Sequence, residues 1–279
     1  MTDSKPDSTP LPLSVVLPVY EKVGPEEFIR SYESVAQQSW PAEEIIVVFD
    51  GPVQPEIESF LAEQPRDQLT TIRFEENRGL SAALRAGYAA ARHRWIARQD
   101  SDDLSLPDRF ERQWPLVQSG KYAVVGGAML EFDEDPSVII RRRELPSEPG
   151  EIAQYAKLNN PMNHPTVILD RDAVAAVGGV QDLPYMEDYD LFARLLSHGY
   201  ALRSTKEPVV LFNAGDSMFD RRTGSVMGTS ERRMQANLVR YGLISRPRAV
   251  LNFALRQGYR RLPRPLLKRA YGILFDRKR

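Results

Sequence analysis

Between Leu13 and Asp100, short apolar runs alternate with helical stretches, three times over and with only brief connections. The runs "LSVVLPVYE" (13–21), "EIIVVFDG" (44–51), "LTTIRFEEN" (69–77) and "RWIARQD" (94–100) read as strands. Between them, "PEEFIRSYESVAQQS" (25–39), "PEIESFLAEQ" (55–64) and "LSAALRAGYAAARH" (80–93) place apolar residues at helical intervals, the first behind Pro25 at its start. Strands that follow one another through helical crossovers lie parallel, and near-continuous apolarity means that both faces are covered. The chain is therefore expected to be α/β, with a mainly parallel, Rossmann-like central sheet and helices on both faces. Ligands of such sheets bind outside the carboxyl ends of the strands. Those ends carry Tyr20-Glu21, Asp50-Gly51, Asn77-Arg78-Gly79 and Asp100-Ser101-Asp102, so four polar clusters converge on one edge.

After residue 106 the pattern changes to α+β. A helix is expected from Pro107 through "DRFERQWPLVQSG", broken at Pro115. Strands follow at 122–133 and 137–145, then a helix near 150–160. "HPTVILDRDAVAAVGG" (164–179) reads as strand, turn and short helix, and "YMEDYDLFARLLSHG" (185–199) as a loop entering a helix. "PVVLFNA" (208–214) is a last strand, and the remainder is helical.

The acidic pieces each allow two readings. Asp100-Ser101-Asp102 is either an exposed turn with a helix cap at Ser105 or a pair of carboxylates brought to one volume. Like charges that close need a counter-charge, which Mg2+ or Mn2+ would supply. Asp103 beside them is expected to support the pair from behind or to face solvent. Glu187-Asp188-Tyr189-Asp190 opens a helix, where carboxylates are stabilised by the helix dipole; Asp188 there would also suit a general base that takes a proton from a hydroxyl. Asp50 is a turn residue before Gly-Pro or an acceptor for a pyrimidine N–H. Arg78 is a loop charge or a contact to base or phosphate. His164 is a structural histidine or a site residue, and Arg221-Arg222 is a surface pair or a bidentate diphosphate clamp.

Composition narrows the chemistry. The sequence has no cysteine and three histidines, which removes disulfide frameworks and thiolate metal sites and disfavours zinc, leaving hard cations on carboxylates. The start "MTDSKPDSTPLP" lacks the pattern of a signal peptide, and no apolar run approaches the roughly 18 residues of a spanning helix. A cytoplasmic protein with a disordered start over 1–12 is expected. From Arg246 to Arg279 eleven basic residues face one acid, Asp276, within a chain whose net charge is −1. Aliphatic and aromatic residues interleave with that charge, which suits peripheral contact of 246–279 with an anionic membrane better than nucleic acid; a helical cap on the core or a dimer contact would use the same pattern.

In order along the chain, "VVLPVYE" (15–21), "IIVVFDGP" (45–52), "ENRGLSAALRAG" (76–87), "RQDSDDLSLPDRFERQ" (98–113), "NHPTVILDR" (163–171), "GGVQDLPYMEDYDLFARLL" (178–196) and "FDRRTG" (219–224) resemble the family 2 glycosyltransferases of the GT-A fold, in particular bacterial exopolysaccharide and capsule transferases of the amylovoran type. The resemblance implies inverting, single-displacement transfer from a nucleotide sugar. It places Pro18, Val19, Tyr20 and Glu21 at base and ribose, Asp50 at the uracil edge and Arg78 on the nucleotide. Asp100, Ser101 and Asp102 fall on the metal-binding D-x-D, with Asp102 the more direct ligand of Mn2+ or Mg2+. Asp188 falls on the base, with Glu187 beside it, and His164, Asp190, Arg221 and Arg222 fall near diphosphate or acceptor. Arg85 stands where many relatives have Asn, which leaves a helix contact in doubt. The Q-x-x-R-W motif of processive synthases is absent, so one sugar is expected per encounter.

By the same resemblance the donor is a UDP-sugar before any other, with galactose ahead of glucose and rhamnose, and the acceptor is a glycan or lipid-linked saccharide. Residues 13–105 would bind the nucleotide sugar and 106–215 the acceptor, with 216–279 a helical basic region. Two competing readings are a phosphatase of the haloacid dehalogenase type and a sugar-nucleotide-binding scaffold without catalysis. Against the first, D-x-D here ends the fourth strand rather than the first, and Leu104 stands where Thr or Val is usual.

Overall fold

The computed structural model describes residues 9–133, 135–215 and 225–260. The first half follows the alternation closely: β1 (Leu11–Val19), α1 (Pro25–Ala36), β2 (Ala42–Phe49), α2 (Pro55–Ala62), β3 (Leu69–Arg73), α3 (Leu80–Ala90) and β4 (Trp95–Arg98). All strand pairs within it, β1 with β2, β1 with β4 and β2 with β3, are parallel. The second half brings β5 (Leu104–Ser105), α4 (Arg109–Gln118), β6 (Val124–Phe132), β7 (Ile139–Arg143), α5 (Pro149–Tyr155), a 3-10 turn (His164–Thr166), β8 (Ile168–Asp170), α6 (Arg171–Ala176), α7 (Glu187–Ser197), β9 (Leu202–Asn213), α8 (Ser225–Arg240) and α9 (Arg246–Arg260).

One nine-stranded sheet takes strands from both halves, in the order β3-β2-β1-β4-β8-β6-β9-β5, with β7 on the edge of β6. It turns mixed beyond β4: β8 runs antiparallel to both β4 and β6, while β9 is parallel to β6. Two apolar cores cover its faces. One joins Val16, Ile46 and Ile96 to α3, α5, α6 and α7 through Leu84, Ile152, Val174 and Phe192. The other joins Val15, Val47 and Ala97 to α1, α2 and α4 through Phe28, Ile57 and Trp114. Gly87 lets α3 lie directly on β1; a Cβ there would stand 2.5 Å from Val16 Cγ1.

Four local expectations are corrected. The chain is ordered from Leu11, whose amide bonds Pro41 O, so the start of β1 falls inside the stretch expected to be disordered; residues 1–8 lie outside the described residues. Helix α4 runs through Pro115 unbroken, because Pro115 and Glu111 are both exposed and the carbonyl that loses its donor meets water. Ser105 is a residue of β5, not a helix cap, and its neighbour Leu104 pairs with Leu211. Finally, β9 begins at Leu202, six residues early, because pairing with β6 extends a stretch whose own sequence is charged.

Candidate active site at the carboxyl ends of the parallel strands

The four strand ends meet as expected, and side chains lock them together. Asp50, at the end of β2, is buried and accepts the backbone N–H of Arg78 at 2.6 Å on one oxygen and of Gly79 at 3.0 Å on the other. Asn77 Nδ2 returns to Asp50 O at 3.2 Å. Arg78 is exposed, with its guanidinium 4.9 Å from the Phe74 ring centre. At the end of β1, Pro18 and Val19 are buried, Val19 as part of the core, so only their backbone can meet a ligand; Tyr20 and Glu21 are exposed.

The D-x-D corner is a turn built on the buried amide of Gln99. Gln99 Nε2 donates to Ser31 Oγ, Asp100 O and Asp103 O, and its Oε1 accepts from Ser105 Oγ and Arg109. Asp103 does not face solvent. It is buried and accepts Asn213 N at 2.8 Å, which ties the corner to the end of β9. Burial, then Asp102 and Asp100, push its carboxyl well above the usual range.

The positive charge that the acidic corner calls for is partly within the chain. Arg98, buried on β4, donates to Asp100 Oδ2 at 3.2 Å and also pairs with its Oδ1. Burial opposes the charge on Arg98, yet Asp100, Tyr88, Glu187 and Asp188 together hold its pKa above the ordinary value. Asp188 opens α7 beside Glu187. Asn160 Nδ2 donates to Asp188 Oδ2 at 2.6 Å, and Tyr189 N donates to its Oδ1 at 2.7 Å. Burial raises the pKa of Asp188, against the pull of the Tyr189 amide, Arg98 and Asn160. Burial and then Asp188 push Glu187 up to about 7, above the usual carboxylate range.

His164 is buried on the 3-10 turn, with Nδ1 3.7 Å from Asp188 Oδ2 and its ring edge-on to Phe192. Burial, then Arg98, hold its pKa well below the usual value, so it is neutral. Ligand atoms of His164, Glu187 and Asp188 lie within 4.8 Å of one another. The Tyr88 hydroxyl is also buried here without a hydrogen-bond partner, close enough to Arg98, Asp100, Glu187 and Asp188 to feel their charge.

Not every expected residue joins this cluster. Asp190, expected near diphosphate or acceptor, is turned to the other side of α7, where Arg194 Nε, Asn237 Nδ2 and Tyr241 Oη each bond it at 2.8 Å. Arg221 and Arg222 lie outside the described residues. Arg85 reaches Val180 O at 3.2 Å and so braces the loop before α7. The sequence pattern does not single out Arg98, Tyr88 or Asn160. Arg98 left a trace, since a cation inside an apolar strand needs a partner; Tyr88 and Asn160 left none.

A model of the family described as "Glycosyl transferase family 2" matches residues 14–178, which span β1 to the end of α6 and so hold every strand end of the site. The chain belongs to family 2 of the glycosyltransferases. This glycosyltransferase is 34% identical over 263 residues, 92% of its length, to the amylovoran biosynthesis glycosyltransferase AmsE of Erwinia amylovora, covering 97% of that protein. It is 28% identical over 259 residues to the UDP-Gal:alpha-D-GlcNAc-diphosphoundecaprenol beta-1,3-galactosyltransferase of Escherichia coli, covering 92% of this chain and 94% of that one. Among solved structures, the mannosyltransferase PcManGT of Pyrobaculum calidifontis, in complex with GDP-Man and Mn2+, superposes with a TM-score of 0.62 at 16% identity, covering 98% of this chain and 76% of that one. The fold of the glycosyltransferase is thus GT-A.

The donor set suits the divalent ion that the family uses. Asp102, half-buried, and Asp100, at the mouth of the sheet, offer the hard oxygen atoms that Mg2+ and Mn2+ prefer, and no thiolate competes.

Proposed function

We propose that this glycosyltransferase moves one hexose per encounter, with inversion, from a nucleotide sugar to a saccharide hydroxyl in bacterial polysaccharide synthesis. The observation that carries this reading is the Glu187–Asp188 pair at the first turn of α7, Glu187 buried and Asp188 half-buried, both held above the ordinary carboxylate range and electrostatically joined through Arg98 to Asp100 of the D-x-D. Residues 13–105 hold the nucleotide sugar. Pro18, Val19, Tyr20 and Glu21 line base and ribose, Arg78 reaches across the same edge, and Asp50 uses its remaining acceptor capacity on the uracil N–H. Asp102 and Asp100 hold Mn2+ or Mg2+, which when bound neutralises the diphosphate. Residues 106–215 receive the acceptor.

Asp188 takes the acceptor hydroxyl proton. The acceptor oxygen bonds to C1 of the sugar on the face opposite the leaving group, and the C1–O bond to the diphosphate breaks, its electron pair leaving with the nucleotide. Asn160 and the Tyr189 amide orient the carboxylate, and His164, neutral beside it, adds no competing charge.

UDP-galactose is the favoured donor, ahead of UDP-glucose and dTDP-rhamnose. The activity for which the Escherichia coli relative is named supports it, along with an acceptor of the lipid-diphosphate class. Such an acceptor is held in a membrane by its lipid chain. No helix of the described residues is long and apolar enough to cross one. Helix α9 exposes Val250, Leu251 and Leu255 in a basic stretch, which supports peripheral contact with anionic lipid.

A screen of nucleotide release from UDP-, GDP- and dTDP-sugars, with Mn2+ and a GlcNAc-diphospho-lipid acceptor, tests the reading. Expected are turnover of UDP-galactose, its loss in EDTA with recovery on Mn2+, and its loss in Asp188→Asn. Preference for GDP-sugars would remove the uracil role of Asp50, and UDP binding without transfer would favour a scaffold.

A further inference from the structure

The Asn160 amide that bonds Asp188 stands on a stretch with no regular structure, between α5 and the 3-10 turn. Its backbone N–H groups turn back to α5, Leu158 N and Asn159 N both to Tyr155 O, and the bond from Met162 N to Asn160 Oδ1 is long, 3.4 Å; none of these uses the carbonyls of 156–158. Its acceptors are instead taken one after another by side chains from α7 and α9. Tyr189 Oη donates to Ala156 O at 2.6 Å, and Asn252 Nδ2 donates to Lys157 O at 2.9 Å. One terminal nitrogen of Arg256 donates to Leu158 O at 2.6 Å and to Asn159 Oδ1 at 2.9 Å.

The other terminal nitrogen of Arg256 meets Glu231 Oε2 of α8 at 2.9 Å. Glu231 is fully buried, and its second oxygen accepts Gln235 Nε2 at 2.8 Å. Arg256 also lies 5.9 Å from the ring centre of Tyr189, the residue after Asp188. A helix that only capped the core would need apolar contact. Here α9 commits a planar cationic fork and an amide to loop acceptors, and α8 buries a carboxylate to aim that fork.

We propose that Arg256 is a positioning residue for the transfer: by clamping Leu158 O and the Asn159 side chain it holds the adjoining Asn160 amide on Asp188, which makes α9 part of the support of the active site. The inference rests on Asp188 being the base. Displacement of a catalytic group by about 1 Å can cost on the order of a hundredfold in rate, so a clamp two steps from the base has a measurable effect.

The test is a double-variant cycle in the full chain, with the nucleotide sugar that turns over in the donor screen. Arg256→Gln is expected to lower kcat roughly tenfold with donor KM held within about twofold, because the nucleotide edge is untouched. Arg256→Lys, which keeps the charge beside Glu231 but lacks the fork, should recover only part. If Arg256 acts through Asn160, the double variant Arg256→Gln, Asn160→Ala is no slower than Asn160→Ala alone. Independent losses that multiply, or an unchanged kcat in Arg256→Gln, would overturn the proposal. Should Arg256→Gln fail to fold, Asn252→Ala, which removes the bond to Lys157 O, runs through the same cycle: a loss absorbed by Asn160→Ala supports the clamp, and a loss that multiplies with it, or no loss, overturns it. Asp188→Asn separates the two levels: full turnover there removes the base assignment itself, whereas a dead Asp188→Asn beside a fully active Arg256→Gln removes only the clamp.

Discussion

The guanidinium of Arg98 closes on both carboxylate oxygens of Asp100, two residues further along the same strand end, in a side-chain pair that leaves Arg98 only 4% exposed. A buried cation so placed acts on every carboxylate around it. It lowers the pKa of Glu187 and Asp188 against the rise caused by burial. Arg98→Gln removes that pull, so both groups titrate higher still. The base is ionised only above its pKa, and the rising limb of the pH–rate profile should therefore move to higher pH, with activity at pH 7 reduced about tenfold or more. A limb that stays in place would mean that Arg98 does not act on the base.

In the unaltered enzyme the same limb should lie above the ordinary carboxylate range, since burial raises the pKa of Asp188 and the neighbouring Glu187 is pushed up to about 7. Activity is lost as pH falls through that limb, because Asp188 then holds the proton it would have to accept. Glu187→Gln removes the like charge beside Asp188. The limb should shift to lower pH while activity persists, whereas Asp188→Asn should abolish turnover at every pH. Rates measured between about pH 5 and 9 with saturating donor distinguish the two carboxylates.

Tyr185, just before α7, is the one non-glycine among the described residues with a positive φ, 65°, and it is 49% exposed. A bulky residue there is strained, at a cost of about 1–3 kcal/mol. Tyr185→Gly relieves that strain at the entry to the Glu187–Asp188 turn, and urea unfolding should show stability unchanged or raised by up to about 1 kcal/mol. Tyr185→Val, β-branched in the same conformation, should destabilise instead.

The first half of the fold was legible because its information is local. Each of β1, β2 and β3 is followed by the helical crossover that makes the next strand parallel, so the convergence of Asp50, Arg78 and Asp100 follows from order along the chain alone. The second half depends on distant pairing. Charged residues at 203, 206 and 207 hide the early start of β9, which is set by β6 some eighty residues earlier. The site divides in the same way. Asp100, Asp102, Glu187 and Asp188 stand out as charges at element ends. Asn160 reaches Asp188 across 28 residues, and no pattern in "KLNNP" announces that contact. Asp190 stands apart from that cluster for a physical reason: two residues along a helix turn a side chain to the opposite face, where Arg194, Asn237 and Tyr241 bond it.

Gly87 sets two effects against each other. Alanine is the better helix former by about 1 kcal/mol, but its Cβ on α3 would stand 2.5 Å from Val16 Cγ1 and 3.3 Å from Val48 Cγ2, both on fully buried residues. Overpacking costs about 1–3 kcal/mol, and here both valines are fully enclosed by the core. Gly87→Ala should therefore lower stability by about 1–2 kcal/mol in urea unfolding, and a stabilised variant would mean that α3 can lift off the sheet.

Arg109 has no solvent exposure, and its guanidinium bonds Gln99 Oε1 at 3.0 Å, Ser105 Oγ at 2.9 Å, Arg98 O at 2.8 Å and Gln113 Oε1 at 3.2 Å. These are the groups that shape the D-x-D turn. Arg109→Met preserves much of the volume but strands the acceptors and leaves Asp103 buried without the cation that interacts with it. Breaking such an arrangement costs about 3–5 kcal/mol, and Arg109→Lys should recover little because one ammonium cannot reach four acceptors in a fork. The loss should also depend on pH. The folded-state pKa of Asp103 is raised by burial and by Asp102 and Asp100, so its contribution to stability is fully present below the unfolded value and falls away as pH rises towards the folded one. Without Arg109 that decline should steepen, and urea unfolding at about pH 5 and pH 8 should show the larger deficit at pH 8; an equal deficit at both would place the whole effect in the stranded hydrogen bonds.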